Sequence, residues 1–571
     1  MKMQWTILEP DRHAVETLSR GLKCSPVTAA ILVNRKIVTV ESALNFLNPS
    51  LSNMRPPFSM KDMDVAVRRI SAAISGREKI LIFGDYDVDG ITATTILLEF
   101  LRYAGADVSY YIPHRTKEGY SLKTNHISEY ASPKGIDLII TADCGSGSHD
   151  AVHAARAAGI DVIITDHHMT TGNLPEAVAV LNPNRPDCNS GFNNLAGVGV
   201  AFYLLICLRS HLRDTNFWNG RPEPNLKNLC DAVALGTVAD MVPLVDENRM
   251  LLRTGLEIIN ARKRCGLKML MKKSGIRGPY ADAGDIAFRL APRLNAAGRM
   301  GHASTAVELL TATDTGTAEH IAASLDSMNS ERRIIESAMH EEIRLYIKEN
   351  PHLLDKKSLV LWNDGWHESV LGIVASRILK TYFRPVMLIA VKDGVGKGSA
   401  RSIPGFNLYQ GLLACRGCLE DFGGHAMAAG ISIKRENLER FRGDFENAVN
   451  SATKADDFVQ KTVIDRTLDF DEISPALMDE IESLQPFGIG NPEPVFMTEN
   501  VSAVSSKIVG EHHRQMVLKQ DSGKTGATFN AIHFNIDSRK PFDENLDKII
   551  FRVRWNRWND KKRLQMVIEA G

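Results

Sequence analysis

Residues 79–105 read KILIFGDYDVDGITATTILLEFLRYAG, and their pattern gives the clearest indication of the fold. The apolar run after Lys79 is typical of a buried strand, and the longer run that begins at Ile91 has the length of a helix. Asp85, Asp87 and Asp89 lie between the two runs, and we expect Gly90 to permit a sharp turn into the helix. The stretch therefore predicts a strand, a turn and a helix, with three carboxylates just beyond the strand.

The same alternation of short apolar runs and helical stretches continues for about a hundred residues. The further runs VSYYIP, IDLIITADCG, DVIITDHH and AVAVLNP are separated by helical stretches such as SHDAVHAARAAG. Strands that alternate with helices in this way predict an α/β fold with a doubly wound parallel sheet. We assign the mostly helical segments 1–50 and 195–300 to the same catalytic lobe.

The length of the chain predicts several domains. A single core stops growing at about 250 to 300 residues, and this chain has 571. Apolar residues at helical spacing predict a long connector helix, after which the pattern indicates a smaller α/β lobe and then a small β-barrel. The predicted parts are a mostly helical segment 1–55, a catalytic domain 56–314, the connector 315–350, the second lobe 351–454 and the barrel 455–571.

The composition is typical of a globular protein without a membrane segment. The chain is 44% hydrophobic and 24% charged, and it has no apolar run near the ~18 to 20 residues that a membrane-spanning helix needs. The first residues lack the apolar stretch of a secretory signal, so we expect a cytoplasmic protein. A net charge of zero excludes a uniformly basic surface but permits a local basic stripe. Cys415 and Cys418 form a single C-x-x-C pair, which supports a metal or redox role only weakly.

Carboxylates and imidazoles follow three separate strands. Asp143 follows IDLIITA, and Asp166, His167 and His168 follow DVIIT. Because ligands bind open parallel sheets at the carboxyl ends of the strands, we expect these groups to meet the three aspartates of GDYDVDG. Such a set suits Mg²⁺ or Mn²⁺, and two ions would clamp a phosphodiester. Asp240, in GTVADMVPL, could add a further ligand.

The aspartates of GDYDVDG also have two simpler interpretations. Asp-rich segments often cap helices or fill turns, and D-x-D-x-D-G resembles half of a calcium loop. The calcium loop is excluded because no Glu stands at its twelfth position, Ile96. The repetition of acidic residues after three strands counts against a purely structural role.

Together, GDYDVDG, TADCG, DHH, GTVADMVPL and RLNAAGRM resemble the motif series of the DHH phosphoesterases, most of all the RecJ group. FGGHAMAAG is similar to the accessory DHHA1 domain, and LQPFGIGNPEPVF is similar to RecJ members, so the resemblance covers nearly the whole chain. It implies a DHH lobe, a DHHA1-like lobe and an OB-fold-like barrel. It also implies a 5′-to-3′ exonuclease specific for single-stranded DNA, which uses Mn²⁺ or Mg²⁺, as two ions, in recombination and repair.

The family pattern also implies roles for individual residues. It makes metal ligands of Asp87, Asp89, Asp143, His167 and Asp240, with Asp85 as an additional ligand. His168 would lie beside the scissile phosphate, and we assign it the catalytic role together with Asp166. Related pyrophosphatases have a histidine at the position of Phe83, so the ligand set of one metal stays open.

Other residues are candidates for binding phosphate and DNA. Arg293, Asn295 and Arg299 lie in the small-residue segment RLNAAGRM, which we interpret as a loop that grips phosphates, or as an ordinary surface loop. Glycine-rich loops would present further groups, namely Ser399, Arg401, Gly424 and His425. As a hypothesis, Arg115, Ser399 and Arg401 form a pocket for the terminal 5′-phosphate.

The terminal segment FRVRWNRWNDKKR interleaves Trp555 and Trp558 with six basic residues. Aromatic stacking beside cations is how OB-folds hold single strands. The alternative is a solvated hairpin whose tryptophans pack inward.

Two other functions compete with the exonuclease. One is a small-molecule phosphodiesterase or pyrophosphatase of the same family, and the other is a nucleic-acid-binding scaffold that has lost catalysis. The extra barrel disfavours the first, and the complete set of acidic and histidine positions disfavours the second. The resemblance further implies a single-strand-binding protein and a DNA helicase as partners, and we expect a monomer.

Overall fold

The computed structural model describes residues 4–170, 172–510, 512–521, 526–536, 542–558 and 561–570, without the side chains of residues 557, 558 and 561. The described chain forms two compact units. The first unit contains residues 56–240 and 255–460, and the second contains residues 4–55, 241–254 and 461–570.

The strands are numbered in chain order. They are β1 Gln4–Ile7, β2 Lys79–Gly84, β3 Asp107–Tyr111, β4 Leu138–Ala142, β5 Asp161–Thr165, β6 Ala179–Leu181, β7 Leu359–Asn363, β8 Val386–Lys392, β9 Val395–Arg401, β10 Asp421–Gly424, β11 Ala428–Lys434, β12 Lys461–Ile464, β13 Arg466–Thr467, β14 Phe496–Val509, β15 His513–Gln520, β16 Thr528–His533, β17 Asn545–Trp558 and β18 Lys561–Ala570.

The α-helices are numbered in the same way, and π-helical turns cover His126–Ala131 and Ile286–Leu290. Among the described residues, none of the helices combines the length and the apolar character needed to cross a membrane. The α-helices are α1 Arg12–Leu22, α2 Pro26–Asn34, α3 Val40–Leu47, α4 Met63–Gly76, α5 Val88–Tyr103, α6 His149–Ala157, α7 Gly197–Asp214, α8 Cys230–Ala239, α9 Asp246–Asn260, α10 Cys265–Lys273, α11 Ala283–Asp285, α12 Ala291–Met300, α13 Ser304–Thr311, α14 Thr315–Glu349, α15 Leu371–Tyr382, α16 Leu408–Ala414, α17 Leu438–Ala452 and α18 Pro475–Ser483.

The larger lobe of the first unit contains the predicted parallel sheet. Its strand order is β3-β2-β4-β5-β6, and all four pairings are parallel. Strands β2, β4, β5 and β6 are almost entirely buried, as expected for parallel strands that helices cover on both faces, whereas the edge strand β3 is partly exposed. The order reverses direction between β2 and β4, which makes the carboxyl ends of these two strands the expected ligand site. The predicted doubly wound sheet is confirmed.

The smaller lobe is a mixed sheet with the order β10-β11-β9-β8-β7, in which only β7 and β8 pair in parallel. Helix α14 serves both lobes of this unit. It packs against α10, α12 and α13 of the larger lobe, and its later residues Met339, Ile343 and Ile347 are buried in the core of the smaller one. The predicted connector helix is therefore confirmed.

Three segments that we predicted as turns or loops belong to regular elements. RLNAAGRM forms α12, GKGSARS falls mostly in β9, and FGGHAMAAG forms the hairpin of β10 and β11. Gly396 and Gly398 lie in β9. Both positions need glycine, because a Cβ would lie 2.8 Å from Ile389 and 2.6 Å from Ile431, respectively. Gly90 likewise lies inside α5, where it leaves room for Asp85. Gly90, Gly396 and Gly398 therefore mark close packing, whereas Gly424 in the hairpin has a φ of 140°.

In the second unit, β14, β15, β16, β18 and β17 close into a barrel through the pairing of β14 with β17, as predicted. The assignment of residues 1–50 to the catalytic lobe is corrected, because Leu18, Ile31 and Leu32 share a core with Phe470 and Phe551 of the barrel segment. Helix α2 is apolar on all sides, so its sequence predicts burial without indicating which element covers it.

Arg249 organises this second unit. Its guanidinium donates to the carbonyl oxygens of Phe46 at 2.8 Å, Leu484 at 3.0 Å and Gln485 at 2.8 Å, and it lies 3.7 Å from the Phe46 ring centre. Burial lowers the pKa of Arg249 to about 9. The motif LQPFGIGNPEPVF thus begins with carbonyls that fold around one buried cation.

Replacement of Arg249 by Met should destabilise the second unit by about 3 kcal/mol, because several buried carbonyls would lose their donor. Urea unfolding of the full chain measures the loss. The matched control is Arg253→Met on the exposed face of the same helix, which should change stability by less than about 0.5 kcal/mol. Equal losses in the two variants would contradict this account.

Candidate metal centre

Backbone hydrogen bonds fix three aspartates just beyond three strands. The N–H of Asp85 donates to Ala142 at 3.1 Å, and the N–H of Asp143 donates to Thr165 at 2.9 Å. The N–H of Asp166 donates to Leu181 at 3.0 Å. Each aspartate therefore extends the sheet by one pairing, which holds its side chain at the carboxyl edge.

The start of α5 contributes two more carboxylates. Asp87 caps this helix by accepting from the N–H groups of Asp89 at 3.0 Å and Gly90 at 3.1 Å. Asp89 is buried and accepts from the N–H groups of Gly197 at 2.6 Å and Val198 at 2.8 Å, where α7 begins. Helix N-termini favour such anions and orient them.

His167 lies among carboxylates from three other elements. Its Nε2 atom is 3.8 Å from Asp89 Oδ2, 3.3 Å from Asp143 Oδ1 and 3.4 Å from Asp240 Oδ2. Burial and the neighbouring His168 lower the pKa of His167 to about 4, and the ring also bonds the backbone of Leu195. Nε2 has no hydrogen-bond partner, so a neutral imidazole offers its lone pair to the carboxylate cluster.

The six predicted metal residues lie together and fall into two sets of three. Asp85, Asp87 and Asp143 form one set, and Asp89, His167 and Asp240 form the other; within each set the candidate ligand atoms lie within 4.8 Å of one another. A third candidate set, Asp143, His167 and His168, shares one residue with each of these sets, so Asp143 and His167 lie between two adjacent ion positions.

The negative charge of the carboxylate cluster is not neutralised without bound cations. Burial, together with Asp87, raises the pKa of Asp89 to about 7, and burial, together with Asp89, raises the pKa of Asp240 to about 9. Asp85 Oδ1 and Asp143 Oδ1 are buried without a hydrogen-bond partner. Buried acceptors of this kind are costly unless a cation binds them. Oxygen donors with one imidazole fit Mn²⁺ or Mg²⁺.

The surroundings of the carboxylates leave room only for glycine. A Cβ on Gly197 would lie 2.4 Å from Asp143 Oδ1, and a Cβ on Gly236 would lie 2.8 Å from Asp89 Oδ1. Asp143 itself has a φ of 65°, in the left-handed region that few residues other than glycine adopt. Strain of this kind persists where the surrounding structure fixes a functional group.

His168 is oriented by Asp166. Asp166 Oδ1 accepts from His168 Nδ1 at 2.7 Å and from the His167 N–H at 2.7 Å, while Oδ2 accepts from the Ser146 N–H at 2.9 Å. Burial opposes ionisation of Asp166, but the bond from His168 holds the pKa of the carboxyl well below its ordinary value. Burial lowers the pKa of His168, but Asp166 raises it to about 9. Asp166 therefore orients a protonated histidine and is not among the candidate metal ligands.

A group of guanidinium ions faces this centre. Burial and the charge of Arg115 lower the pKa of Arg299 to about 9 and also lower the pKa of Arg401. Arg115 lies 4.8 Å from the Tyr86 ring centre, and Arg299 donates to the carbonyl of Ser369 in the smaller lobe. Three cations whose charges act on one another in this way indicate an anion-binding pocket.

The smaller lobe contributes the remaining pocket residues from β9 and β10. Ser399 and Arg401 lie at the end of β9, and a Cβ on Gly372 would lie 2.8 Å from Arg401 Nη2 and 3.0 Å from Ser399 Oγ. Gly424 is the last residue of β10, and the His425 ring stacks 6.2 Å from that of His168. The two lobes thus meet at the metal centre.

Arg293, Asn295 and Trp555, which we predicted as DNA contacts, are not part of this pocket. Because α12 is a helix, Arg293 and Arg299 point about 120° apart, and Arg293 Nε instead bonds Asp326 Oδ1 at 2.8 Å. Asn295 is half-buried on α12. The half-buried Trp555 packs against the barrel core, with Lys562 Nζ 4.1 Å from its ring centre. The side chain of Trp558 lies outside the described residues.

Several site residues were not among our predictions. Asn182 follows β6 and donates to Ser146 Oγ at 2.8 Å and to the His168 carbonyl at 2.9 Å. Tyr120 Oη lies 3.1 Å from His168 Nδ1. Asn182 shares the signal that found the acidic residues, a polar side chain directly after a strand; Tyr120 and Gly372 carry no such signal.

Three family models match the chain. The DHH family N-terminal domain matches residues 79–237, the DHHA1 domain matches 355–451, and the RecJ OB domain matches 464–570. The single-stranded-DNA-specific exonuclease RecJ of Bacillus subtilis is 37% identical over 577 residues, which cover 100% of this chain and 70% of that protein. The Escherichia coli RecJ is 34% identical over 571 residues, or 98% of each chain.

The chain belongs to the RecJ family. The crystal structure of Thermus thermophilus RecJ in complex with Mn²⁺ has a TM-score of 0.82 and 28% identity, over 99% of this chain and 79% of that one. The complex of the same protein with Mg²⁺ has a TM-score of 0.77 over 99% and 78% of the two chains, also at 28% identity. The predicted RecJ-type fold of two α/β lobes and an OB-like barrel is confirmed.

The raised pKa of Asp240 predicts a pH effect on the metal-free protein. The folded state binds this proton more tightly than the unfolded chain, so the stabilisation is complete below the ordinary pKa of 3.8 and is lost as the pH rises through about 9. The test measures the difference in melting temperature between the wild type and Asp240→Asn in EDTA. This difference, wild type minus variant, should fall by about 2 °C or more between pH 5.5 and pH 8.5. Saturating Mn²⁺ should remove this fall, because the ion favours the carboxylate. A difference that does not depend on pH in EDTA would refute the prediction.

Proposed function

We propose that this chain is an exonuclease that hydrolyses single-stranded DNA from its 5′ end, with Mn²⁺ or Mg²⁺ as cofactor. One observation carries the proposal. The carboxylate and histidine cluster of the larger lobe lies next to a guanidinium pocket, formed by Arg115, Arg299 and Arg401, to which both lobes contribute. Hydrolysis at the cluster and retention of a charged end at the pocket together suit removal of nucleotides from a terminus. The RecJ relatives, described as single-stranded-DNA-specific exonucleases, support this substrate.

The two sets of ligands would hold the ions, which supply an activated water and neutralise charge on the phosphodiester. Asp85, Asp87 and Asp143 would hold one ion, and Asp89, His167 and Asp240 the other. Helix α7 keeps Asp89 in place through two N–H groups. The bond of His167 to the Leu195 backbone leaves Nε2 for the metal.

His168 is the residue that we propose to act on the scissile phosphate. Its Nδ1–H is directed to Asp166, so the proton on Nε2 is available to a phosphate oxygen. Without metal ions, the bond to Asp166 raises the pKa of the ring to about 9, which favours the imidazolium. Such a group stabilises negative charge in the transition state and can donate a proton to the leaving oxygen.

The pocket of Arg115, Ser399 and Arg401 would select the 5′-phosphate. Two guanidinium groups and a hydroxyl match the oxygens of a terminal phosphate, and Gly372 places the first turn of α15 beside them. Arg299 would add a third cation. A terminal phosphate held next to the metal centre fixes which end of the strand is cleaved and gives the 5′-to-3′ direction.

The barrel is a second candidate surface for DNA. Many cations of its terminal hairpin have acidic partners, with Arg552 and Arg554 at 3.1 Å and 2.6 Å from Glu493 and Lys562 at 3.0 Å from Asp479. These pairs reduce the attraction of the three cations for phosphate. We assign the main grip on the strand to the first unit.

Family membership supports a place for the chain in recombination and repair. We infer a monomeric protein of the cytoplasm. A helicase would supply it with single strands, and a single-strand-binding protein would coat them.

Replacement of Asp143 by Ala should abolish cleavage while DNA binding changes less than about threefold, because the change removes a metal ligand and leaves the phosphate grip. End-labelled single strands, duplex and cyclic dinucleotide, each with Mn²⁺, identify the substrate in the same assay. Turnover in the variant would refute the ligand assignment. Preferred hydrolysis of the cyclic dinucleotide by the wild type would favour the small-molecule phosphodiesterase instead.

Replacement of Arg401 by Ala tests the pocket. Wild-type kcat/KM should be at least about tenfold higher for a 5′-phosphorylated oligonucleotide than for its 5′-hydroxyl form, since a charge-assisted bidentate contact contributes about 1.5 to 3 kcal/mol. The variant should lose most of this preference. Arg293→Ala is the matched control, because Arg293 pairs with Asp326, and its preference should be retained. An unchanged preference in Arg401→Ala would remove this residue from the pocket.

A further inference from the structure

Glu118 lies inside the segment of residues 112–125, which joins β3 to the π-helical turn His126–Ala131. Tyr111 Oη, at the end of β3, donates to Glu118 Oε1 at 2.6 Å, and the His114 N–H donates to Oε2 at 2.6 Å. His126 Nε2, in the π-helical turn, lies 3.3 Å from Oε1. One carboxylate thus joins the strand and the loop by hydrogen bonds, and His126 Nε2, which makes no hydrogen bond, lies beside it.

The protonation of these groups is fixed by their surroundings. The Lys123 N–H donates to His126 Nδ1 at 3.0 Å, which leaves the proton on Nε2, facing Glu118. Burial raises the pKa of Glu118, but the bonds from Tyr111 and from the His114 N–H outweigh burial and lower it. Glu118 is therefore an ionised acceptor at neutral pH.

Aromatic packing ties this arrangement to the strand that carries Asp85. Phe83 is fully buried near the end of β2, and its ring stacks on Tyr111 with centres 5.7 Å apart and planes 14° apart. The Phe83 ring also lies 4.9 Å from that of His126. The donors to Glu118 are consequently held in place by the central sheet.

The loop held by Glu118 carries Arg115. The backbone of His114, which donates to Glu118, directly precedes Arg115, and the Arg115 guanidinium stands over the Tyr86 ring at 4.8 Å. The far end of the loop has its own anchor, since Ser121 Oγ and Ser148 Oγ lie 2.8 Å apart. Loss of Glu118 would therefore release the Arg115 end of the loop more than the Tyr120 end.

We propose that Glu118 is a positioning residue that holds Arg115 toward the 5′-terminal phosphate and so sets the selectivity for a phosphorylated end. The proposal rests on the function proposed above. If the loop becomes ordered only when the substrate binds, the lost conformational entropy weakens binding. The cost falls on binding of the phosphorylated end, because the metal ligands and His168 are held by other bonds.

The test compares kcat and KM for 5′-phosphorylated and 5′-hydroxyl oligonucleotides in Glu118→Ala. KM for the phosphorylated strand should rise at least about tenfold while kcat changes less than about threefold, and the hydroxyl strand should be little affected. Combined with Arg115→Ala, the Glu118 variant should cause almost no additional loss of selectivity, because both act through one guanidinium. Tyr111→Phe, which removes one donor, should give a smaller change of the same kind and serves if Glu118→Ala does not fold.

Glu446→Ala is the matched control. The Glu446 carboxylate accepts from the N–H groups of Lys357 and Ser358 at 2.9 Å each and from Ser358 Oγ at 2.6 Å. The Glu446→Ala variant therefore loses a similar set of hydrogen bonds elsewhere in the same unit. It should lower the melting temperature without changing the selectivity for a phosphorylated end.

The outcomes separate the two proposals. A wild type that does not distinguish the two ends would overturn the phosphate pocket and this inference with it. A selective wild type, with equal losses for both substrates in Glu118→Ala or with fully additive effects of Glu118→Ala and Arg115→Ala, would overturn this inference alone.

Discussion

The structure depends on the electrostatic cost of collecting carboxylates at one edge of a buried sheet. Asp85, Asp89 and Asp143 are almost completely buried, and no lysine or arginine contacts them directly among the described ion pairs. Moving such charges out of water costs several kcal/mol for each group unless cations compensate. The raised pKa values of Asp89 and Asp240 express the same cost. The site is consequently complete only with divalent cations.

The rest of the first unit serves this constraint. Backbone pairing fixes the aspartates beyond their strands, the start of α7 orients Asp89, and glycines leave the space that the carboxylates occupy. Asp166 orients His168 beside the cluster and raises its pKa. The guanidinium groups stay separate from the carboxylates, so they are available for phosphate. Opposite charges on two sides of one site suit a substrate that must be both held by its phosphates and hydrolysed.

Much of the site could be predicted because it follows from simple periodicity. Apolar runs locate the strands, and polar residues directly after them share one edge, so the sequence alone is enough to place Asp143 and His167 near Asp87. Glycine-rich segments were misinterpreted as loops, since glycine equally marks close packing inside β9 and β10. The pairing of Arg293 with Asp326 depends on contact between two helices, and no local pattern indicates it. The burial of Arg249 and the packing of residues 4–55 also depend on contacts between distant parts of the chain. The sequence indicates that these residues are buried, but it does not indicate which elements cover them.

The carboxylate cluster requires that two divalent ions occupy the two ligand sets. Anomalous diffraction at the manganese edge, from crystals of the wild-type chain grown with Mn²⁺, tests it most directly. We expect two peaks about 3.5 to 4 Å apart, one beside Asp85, Asp87 and Asp143 and the other beside Asp89, His167 and Asp240. A single peak, or peaks away from these side chains, would contradict it.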